Sequence, residues 1–290
     1  MMYLPLIKPT AWRCGRFYFD WVSTPAPVVM GILNVTPDSF SDGGKYFDHS
    51  MALDHAFQMI EDGAKIIDLG GESTKPGAIP VSAQEEQDRV FPVLEKLQSA
   101  GVALSLDSYQ AQTMQYALEI GVDILNDISG FQSEMNLAVA TGSKDVGLCV
   151  MHMQNSPQNM QDRPHYENII QEVGQFFNDK VLQLVSLGIE LERIAIDPGF
   201  GFGKTTEHNL TLLHRLAELS LSGTSLLVGL SRKKTLRKIL GDQVTDLTTA
   251  SVAAALLAAE RGAQILRVHD VKPTVQAIQV WTAMHQEHLS

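Results

Sequence analysis

The sequence predicts an α/β fold, a single-domain (β/α)8 TIM barrel, and three observations predict it. Apolar, β-branched runs recur along the chain and carry a polar residue at or near their ends. Amphipathic helical patterns lie between them. The alternation fills about 250 residues, the usual size of such a barrel.

The runs can be followed in order. "VVMGILN" reaches Asn34, "KIIDLGGEST" passes through Asp68, "VALSLD" reaches Asp107 and "VDILND" reaches Asp127. "VGLCVMH" then ends at His152, "RIAID" at Asp197, "LLVGLS" at Ser231 and "QILRVHD" at Asp270, which makes eight. Near-continuous apolar strands of this kind suit a parallel sheet covered by helices. Among the helical segments, Ser82 and Glu85 have the spacing of a capping box. Val90, Leu94 and Leu97 follow at helical spacing, and Gly101 closes the segment. "ENIIQEVGQFFNDKVLQLVSLG" sets Ile169, Val173, Phe176, Phe177 and Leu184 along one side. "SVAAALLAAERG" ends at a capping Gly262, and "PTVQAIQVWTAMHQ" opens with Pro273 in its first turn. The same alternation also allows a doubly wound open sheet of eight strands. Residues 28–290 form the barrel. Residues 1–27 are an N-terminal extension, with a β-hairpin closing the barrel bottom as its candidate structure.

The bulk properties narrow the class. A net charge of -11 over 290 residues argues against a nucleic-acid scaffold. Cys14 and Cys149 cannot form a disulfide framework and suit a reducing compartment. The N-terminal segment lacks a basic run followed by an apolar core, so no secretory signal is expected. No apolar run approaches ~18 residues, so no membrane span is expected either. The expectation is a cytoplasmic protein.

In a barrel the chemistry sits at the C-terminal strand ends, where these polar residues fall. Asp127 and Asp270 read equally well as helix caps. As a set, so many carboxylates and carboxamides exceed what capping requires. Two loops follow the first strands: "MGILNVTPDSFSDGG", residues 30–44, and "GGESTKPGA", residues 70–78. Both are small and polar, as mobile covers of a closing site would be. "GLSRKKTLRK" gathers Arg232, Lys233, Lys234, Arg237 and Lys238 where a helix begins, a setting that favours an anion. Arg267 and His269 alternate along a strand and so share a face. Their convergence on a cationic loop implies phosphate or pyrophosphate.

"IDPGFGFGKT", residues 196–205, imitates a nucleotide loop without being one. Pro198 stands where a P-loop needs its first Gly, and Gly199, Gly201 and Gly203 fall one residue short of the dinucleotide spacing. Tight backbone turns are the remaining use for the glycines. Lys204 is a secondary candidate for a phosphate contact.

"MGILNVTPDSFSDGG", "DLGGESTKPGA", "IDPGFGFGK", "VGLSRK" and "RVHD", in this order between about residues 28 and 280, resemble the dihydropteroate synthase family. The resemblance implies a folate-pathway transferase that joins 6-hydroxymethyl-7,8-dihydropterin pyrophosphate to 4-aminobenzoate. It also implies Mg²⁺ as cofactor, inhibition by sulfonamides and a homodimer. By the same resemblance Asp107, Asn126, Met151, Asp197, Phe202, Gly229 and Lys233 bind the pterin. A carboxylate at Asp197 suits the pterin's paired N–H donors. Asn34, Thr74, Arg267 and His269 hold the pyrophosphate, with Asn34 as the Mg²⁺ ligand. Asp107, Lys233, Arg267 and His269 are the catalytic set for an SN1-like path. Thr36, Asp38, Ser39, Phe40, Thr74, Lys75, Pro76 and Lys234 build the loops and the aminobenzoate pocket.

Two positions depart from the family pattern. Lys75 stands where Arg is usual, and a Lys lacks the planar fork. Lys234 stands where Ser is frequent, beside the expected aminobenzoate carboxylate. Two other functions fit a pterin barrel: a methyltetrahydrofolate-dependent corrinoid methyltransferase and a non-catalytic pterin-binding paralogue. Neither has a use for the first loop together with an anion site.

Overall fold

A computed structural model describes residues 8–36, 49–73, 79–156, 159–219 and 223–286. Eight strands close into a parallel barrel: β3 (Val28–Asn34), β4 (Ile66–Gly70), β5 (Ala103–Asp107), β6 (Ile124–Asp127), β7 (Gly147–Met151), β8 (Ile194–Asp197), β9 (Ser225–Val228) and β10 (Ile265–Val268). β10 pairs with both β9 and β3, so the sheet has no edge and the open-sheet alternative is excluded. The runs read from the sequence are these strands. They are almost wholly buried because helices cover the outside and side chains fill the inside.

Between strands lie α1 (His49–Glu61), α2 (Ala83–Leu97), α3 (Ala111–Ile120), α4 (Glu134–Gly142), α5 (Ile169–Ser186), α6 (Thr206–His214), α7 (Lys234–Leu240) and α8 (Thr248–Glu260), and α9 (Val271–Gln286) follows β10. Ser82 caps α2 by accepting from the Glu85 N–H, and Val90, Leu94 and Leu97 are buried. The reciprocal half of the expected capping box gives way: the Glu85 carboxylate pairs with Arg89 one turn on. A guanidinium is a stronger donor to a carboxylate than a neutral backbone N–H. α8 packs by its small side chains, Ala254, Ala255, Ala258 and Ala259, and its neighbour α9 carries Pro273 in the first turn, where no helical N–H is lost. Among the described residues no helix is long and apolar enough to cross a membrane.

The chain before β3 forms a hairpin, β1 (Ala11–Cys14) paired antiparallel with β2 (Phe17–Asp20). Its Trp12 and Cys14, with Trp21 just beyond, pack against one residue from each barrel strand near its N-terminal end: Met30, Ile66, Ala103, Ile124, Cys149, Ala195, Leu227 and Ile265. Both indoles satisfy their N–H groups, Trp12 on the Arg193 carbonyl (3.1 Å) and Trp21 on Ser225 Oγ (2.8 Å). The hairpin therefore plugs the bottom of the barrel. Trp12→Ala is expected to lower the unfolding free energy by about 3–5 kcal/mol, the usual cost of emptying a buried aromatic site. Urea denaturation measures this. A loss below about 1 kcal/mol would mean that the barrel stands without the plug.

Candidate active site

The opposite, C-terminal end of the barrel gathers the polar strand ends. Asp107, Asn126, Met151, Asp197 and Arg267 arrive on β5, β6, β7, β8 and β10, and the following loops add Phe202, Gly229 and Lys233. All of them line one small pocket, so every residue expected to meet the pterin stands at the same place. Ile128, Met151 and Phe202 give it an apolar wall, and Met160 packs against them. A second cavity of about 440 Å³ is lined by Asn34, Thr36, Arg267 and His269 together with Ser231, Arg232 and Arg237. Asp107, Gly229, Lys233 and Arg267 line both spaces.

The loop after β8 owes its shape to its glycines. Gly199, Gly201 and Gly203 have φ of +67°, +81° and +62°. A Cβ at Gly199 would fall 1.9 Å from the His152 carbonyl oxygen, so only glycine fits there. The Gly199 N–H donates to Asp197 Oδ1 (2.8 Å). Burial pushes the Asp197 carboxyl up, and this hydrogen bond and Lys233 act against the rise. Lys204 is engaged by the protein itself: its buried ammonium contacts His152 Nδ1 at 2.9 Å and donates to the Phe202 carbonyl at 3.0 Å. It ties the glycine loop to the end of β7.

Gly229 is different, because the nearest atoms to a Cβ there lie 3.8 Å away on Arg267. Protein packing does not demand this glycine; the space it leaves faces the pocket. Gly229→Ala is expected to change stability by less than about 0.5 kcal/mol and to weaken binding of a pterin analogue about tenfold, near 1.4 kcal/mol. Paired thermal melts and calorimetry check both halves. Unchanged affinity would place the ring elsewhere.

After β9 the chain bends at Arg232, which holds φ +56°. Its N–H donates to Ser251 Oγ (3.0 Å), and its guanidinium pairs with Asp270. The bend sends neighbouring side chains in different directions. Ser231 Oγ meets His269 Nδ1 at 3.1 Å, while Lys233 Nζ sits 4.2 Å from the centre of the Phe202 ring. Burial, aided by Arg267, brings the Lys233 ammonium down to about 8, against the pull of Asp197 and Asp107.

Arg267 crosses the mouth. Its Nε donates to Asp68 Oδ2 (2.6 Å) and its Nη2 to Asp107 Oδ2 (2.5 Å). Burial opposes its charge, but the two carboxylates outweigh burial and hold it more firmly protonated. Asp107 is pushed up to about 7 by burial, with Arg267 resisting. His269 is brought down to about 3 by burial and by Arg267 and Arg232, so near neutrality it offers a hydrogen bond rather than a charge. His152, also down to about 3, is buried beside Lys204. Both depressed values mean that these imidazoles support the fold above the unfolded value near 6.5 and that this support is lost as pH falls toward 3. In NMR titrations both rings are expected to remain neutral down to about pH 5. A midpoint between about 6 and 7 for either would contradict the burial described.

Lys234 opens α7 and lines a neighbouring cavity of about 450 Å³ with Phe202, Lys233 and Lys238. Asp38, Ser39, Phe40, Thr74, Lys75 and Pro76 lie outside the described residues, and with them the expectation that the two loops cover the site. Sequence reasoning missed Phe200, which lines the ring pocket, and assigned no role to two polar residues of the strand runs, Ser231, which contacts His269, and Asp68, which holds Arg267. The available signal for Asp68 was a carboxylate inside an apolar strand rather than at its end.

Fold and site together define a barrel enzyme that holds a flat, hydrogen-bonding ring beside an anion. A family model described as pterin binding enzyme matches residues 30–269. The dihydropteroate synthase of Neisseria meningitidis serogroup C is 44% identical over 279 residues, covering 94% of this chain and 97% of the relative. A crystal structure of Burkholderia cenocepacia dihydropteroate synthase complexed with 7,8-dihydropteroate matches with a TM-score of 0.88 at 40% identity, over 97% of this chain and 99% of the other. A Yersinia pestis dihydropteroate synthase in a sulfonamide drug complex matches with a TM-score of 0.88 at 43% identity, over 95% and 99% of the two chains. The chain belongs to the dihydropteroate synthase family of pterin-binding enzymes.

Proposed function

We propose that the protein condenses 6-hydroxymethyl-7,8-dihydropterin pyrophosphate with 4-aminobenzoate, giving 7,8-dihydropteroate and pyrophosphate. The observation that carries this reading is the shared wall. Asp107, Gly229, Lys233 and Arg267 border both the ring pocket and the anion cavity, so the bond between pterin methylene and pyrophosphate would lie between them.

The residues divide the work accordingly. Asp197 accepts the paired donors of the pterin edge, Asn126 adds a carboxamide, and Met151 and Phe202 flank the ring. Arg267 and neutral His269 bind the anion with N–H groups aimed where negative charge accumulates. The dihydropterin delocalises the positive charge left at its methylene carbon, and the buried Asp107 carboxyl beside it stabilises that charge. The aniline nitrogen then forms the C–N bond and loses its proton, so no strong base is required. The path is SN1-like.

Mg²⁺ fits this site as a guest of the pyrophosphate. Asn34 lines the anion cavity and would supply a carboxamide oxygen to the ion, and no group of three His, Cys, Asp or Glu able to hold a metal occurs among the described residues. Such a sparse donor set suits an ion that keeps waters and shares phosphate oxygens. When bound, the ion would supply positive charge to the leaving pyrophosphate.

The cavity beside Phe202, Lys233 and Lys234 suits the aminobenzoate carboxylate and sulfonamides that imitate it. Free, buried Cys14 and Cys149 support a reducing, cytoplasmic setting. Exposed Leu257 on α8 and Val280 and Met284 on its neighbour α9 support a homodimer. Pyrophosphate release and dihydropteroate formation on mixing both substrates with Mg²⁺ test the function. Binding of both without turnover would favour a non-catalytic paralogue.

A further inference from the structure

We propose that Asp68 is a positioning residue for pterin recognition, fixing the amide of Asn126 and the guanidinium of Arg267 from the layer beneath them. This rests on the functional reading above and deepens it.

The register places Asp68 below the recognition layer. On β5 its partner is Ser105, two residues before Asp107 on the same face, whereas Asn126 pairs with Asp107 itself. Asp68 is fully buried and lines neither the ring pocket nor the anion cavity. It therefore acts on a ligand only through its neighbours, and it has two. Arg267 Nε donates to Oδ2 at 2.6 Å, and Asn126 Nδ2 lies 3.3 Å from Oδ2 and 3.4 Å from Oδ1.

Each contact selects one arrangement from several. An amide can present either its oxygen or its NH₂ group to a ligand. A carboxylate underneath attracts the NH₂ group and repels the oxygen, so Asn126 Oδ1 is left as the acceptor for the pocket. No described residue donates a hydrogen bond to that oxygen. A pterin ring N–H is the matching donor. For Arg267, the bond at Nε fixes the plane of the fork, and the second carboxylate, Asp107, holds Nη2. Nη1 is then directed by two anchors rather than by a free side chain. Asp68 thus converts a flexible amide and a flexible cation into a fixed pattern, an acceptor for the ring and a donor for the anion.

The test is a double-mutant cycle read by calorimetry with 6-hydroxymethylpterin and by steady-state kinetics. Asp68→Asn keeps the shape and removes the charge. It is expected to weaken pterin binding about tenfold, with KM for 4-aminobenzoate changed less than about twofold. In an Asn126→Ala background the same change is expected to cost about twofold or less, because the amide it orients is gone. Equal losses in both backgrounds, or no loss in a folded Asp68→Asn protein, would overturn the proposal. Should Asp68→Asn not fold, the exchange Asp68→Asn with Asn126→Asp restores one carboxylate and one amide to the pair. That exchange is expected to bind pterin more tightly than Asn126→Asp alone, and equal binding would overturn the proposal. If the wild-type protein binds no pterin, the functional reading fails, yet the pairing is still read without ligand. The side-chain NH₂ resonances of Asn126 are expected to move in Asp68→Asn, and their constancy would overturn the pairing.

Discussion

Arg267→Ala is expected to lower kcat/KM for the pterin pyrophosphate by about 10³-fold or more, the scale of losing an oriented donor to developing negative charge. Two losses combine. The anion cavity loses its half-buried guanidinium, and Asp68 and Asp107 are left facing one another without a cation. Stranding buried carboxylates costs about 3–5 kcal/mol, so the melting temperature should fall as well. Arg267→Lys should recover stability better than activity, because a point charge cannot reach both carboxylates and still present an edge to the anion. The decisive comparison is between the pyrophosphate ester and the bare pterin alcohol. The ester should lose more affinity than the alcohol, and equal losses would assign Arg267 to the ring rather than to the leaving group.

Asp197→Asn is expected to weaken pterin binding by about 1.5–3 kcal/mol, the worth of a hydrogen bond to a charged group. The carboxylate is buried at the end of β8, and among the described residues only Oδ1 accepts from the protein, through Gly199. An asparagine there replaces one acceptor with a donor that opposes the N–H groups of the ring. Because burial raises the Asp197 carboxyl above its usual range, affinity should also fall as pH drops into the acid range. Calorimetry of the folded variant measures the first effect; unchanged affinity would remove Asp197 from the ring.

The sequence makes the strands legible because burial on both faces writes itself as apolar runs, and because barrel strands end in polar residues. Asp107 and Asp197 could be read as strand-end candidates for that reason, Arg267 from its alternation with His269, and Asn126 through the family resemblance, which gave all four their roles. Contacts between distant strands are another matter. Arg267 reaches Asp68 across 199 residues of chain, and only closure of the barrel brings β10 beside β3 and so near β4. Arg232 carried no sign of its left-handed backbone, since a cation in a basic run reads as a ligand group rather than a bend. Lys204 is the opposite case. Its Gly-Lys-Thr context suggests phosphate, yet the tight turns around it fold the ammonium inward onto carbonyls.

The aromatic plug at the foot of the barrel has a consequence for how the molecule tolerates change. Trp12 and Trp21 seal one end, and the candidate ring pocket lies at the other. The plug therefore adds robustness through residues that take no part at the mouth. A lineage under pressure from a competitive inhibitor could vary the mouth while the foot keeps the chain folded, and heat would select at the foot without disturbing the mouth. Adaptation to a poison and adaptation to temperature would leave their marks at opposite poles of the same barrel.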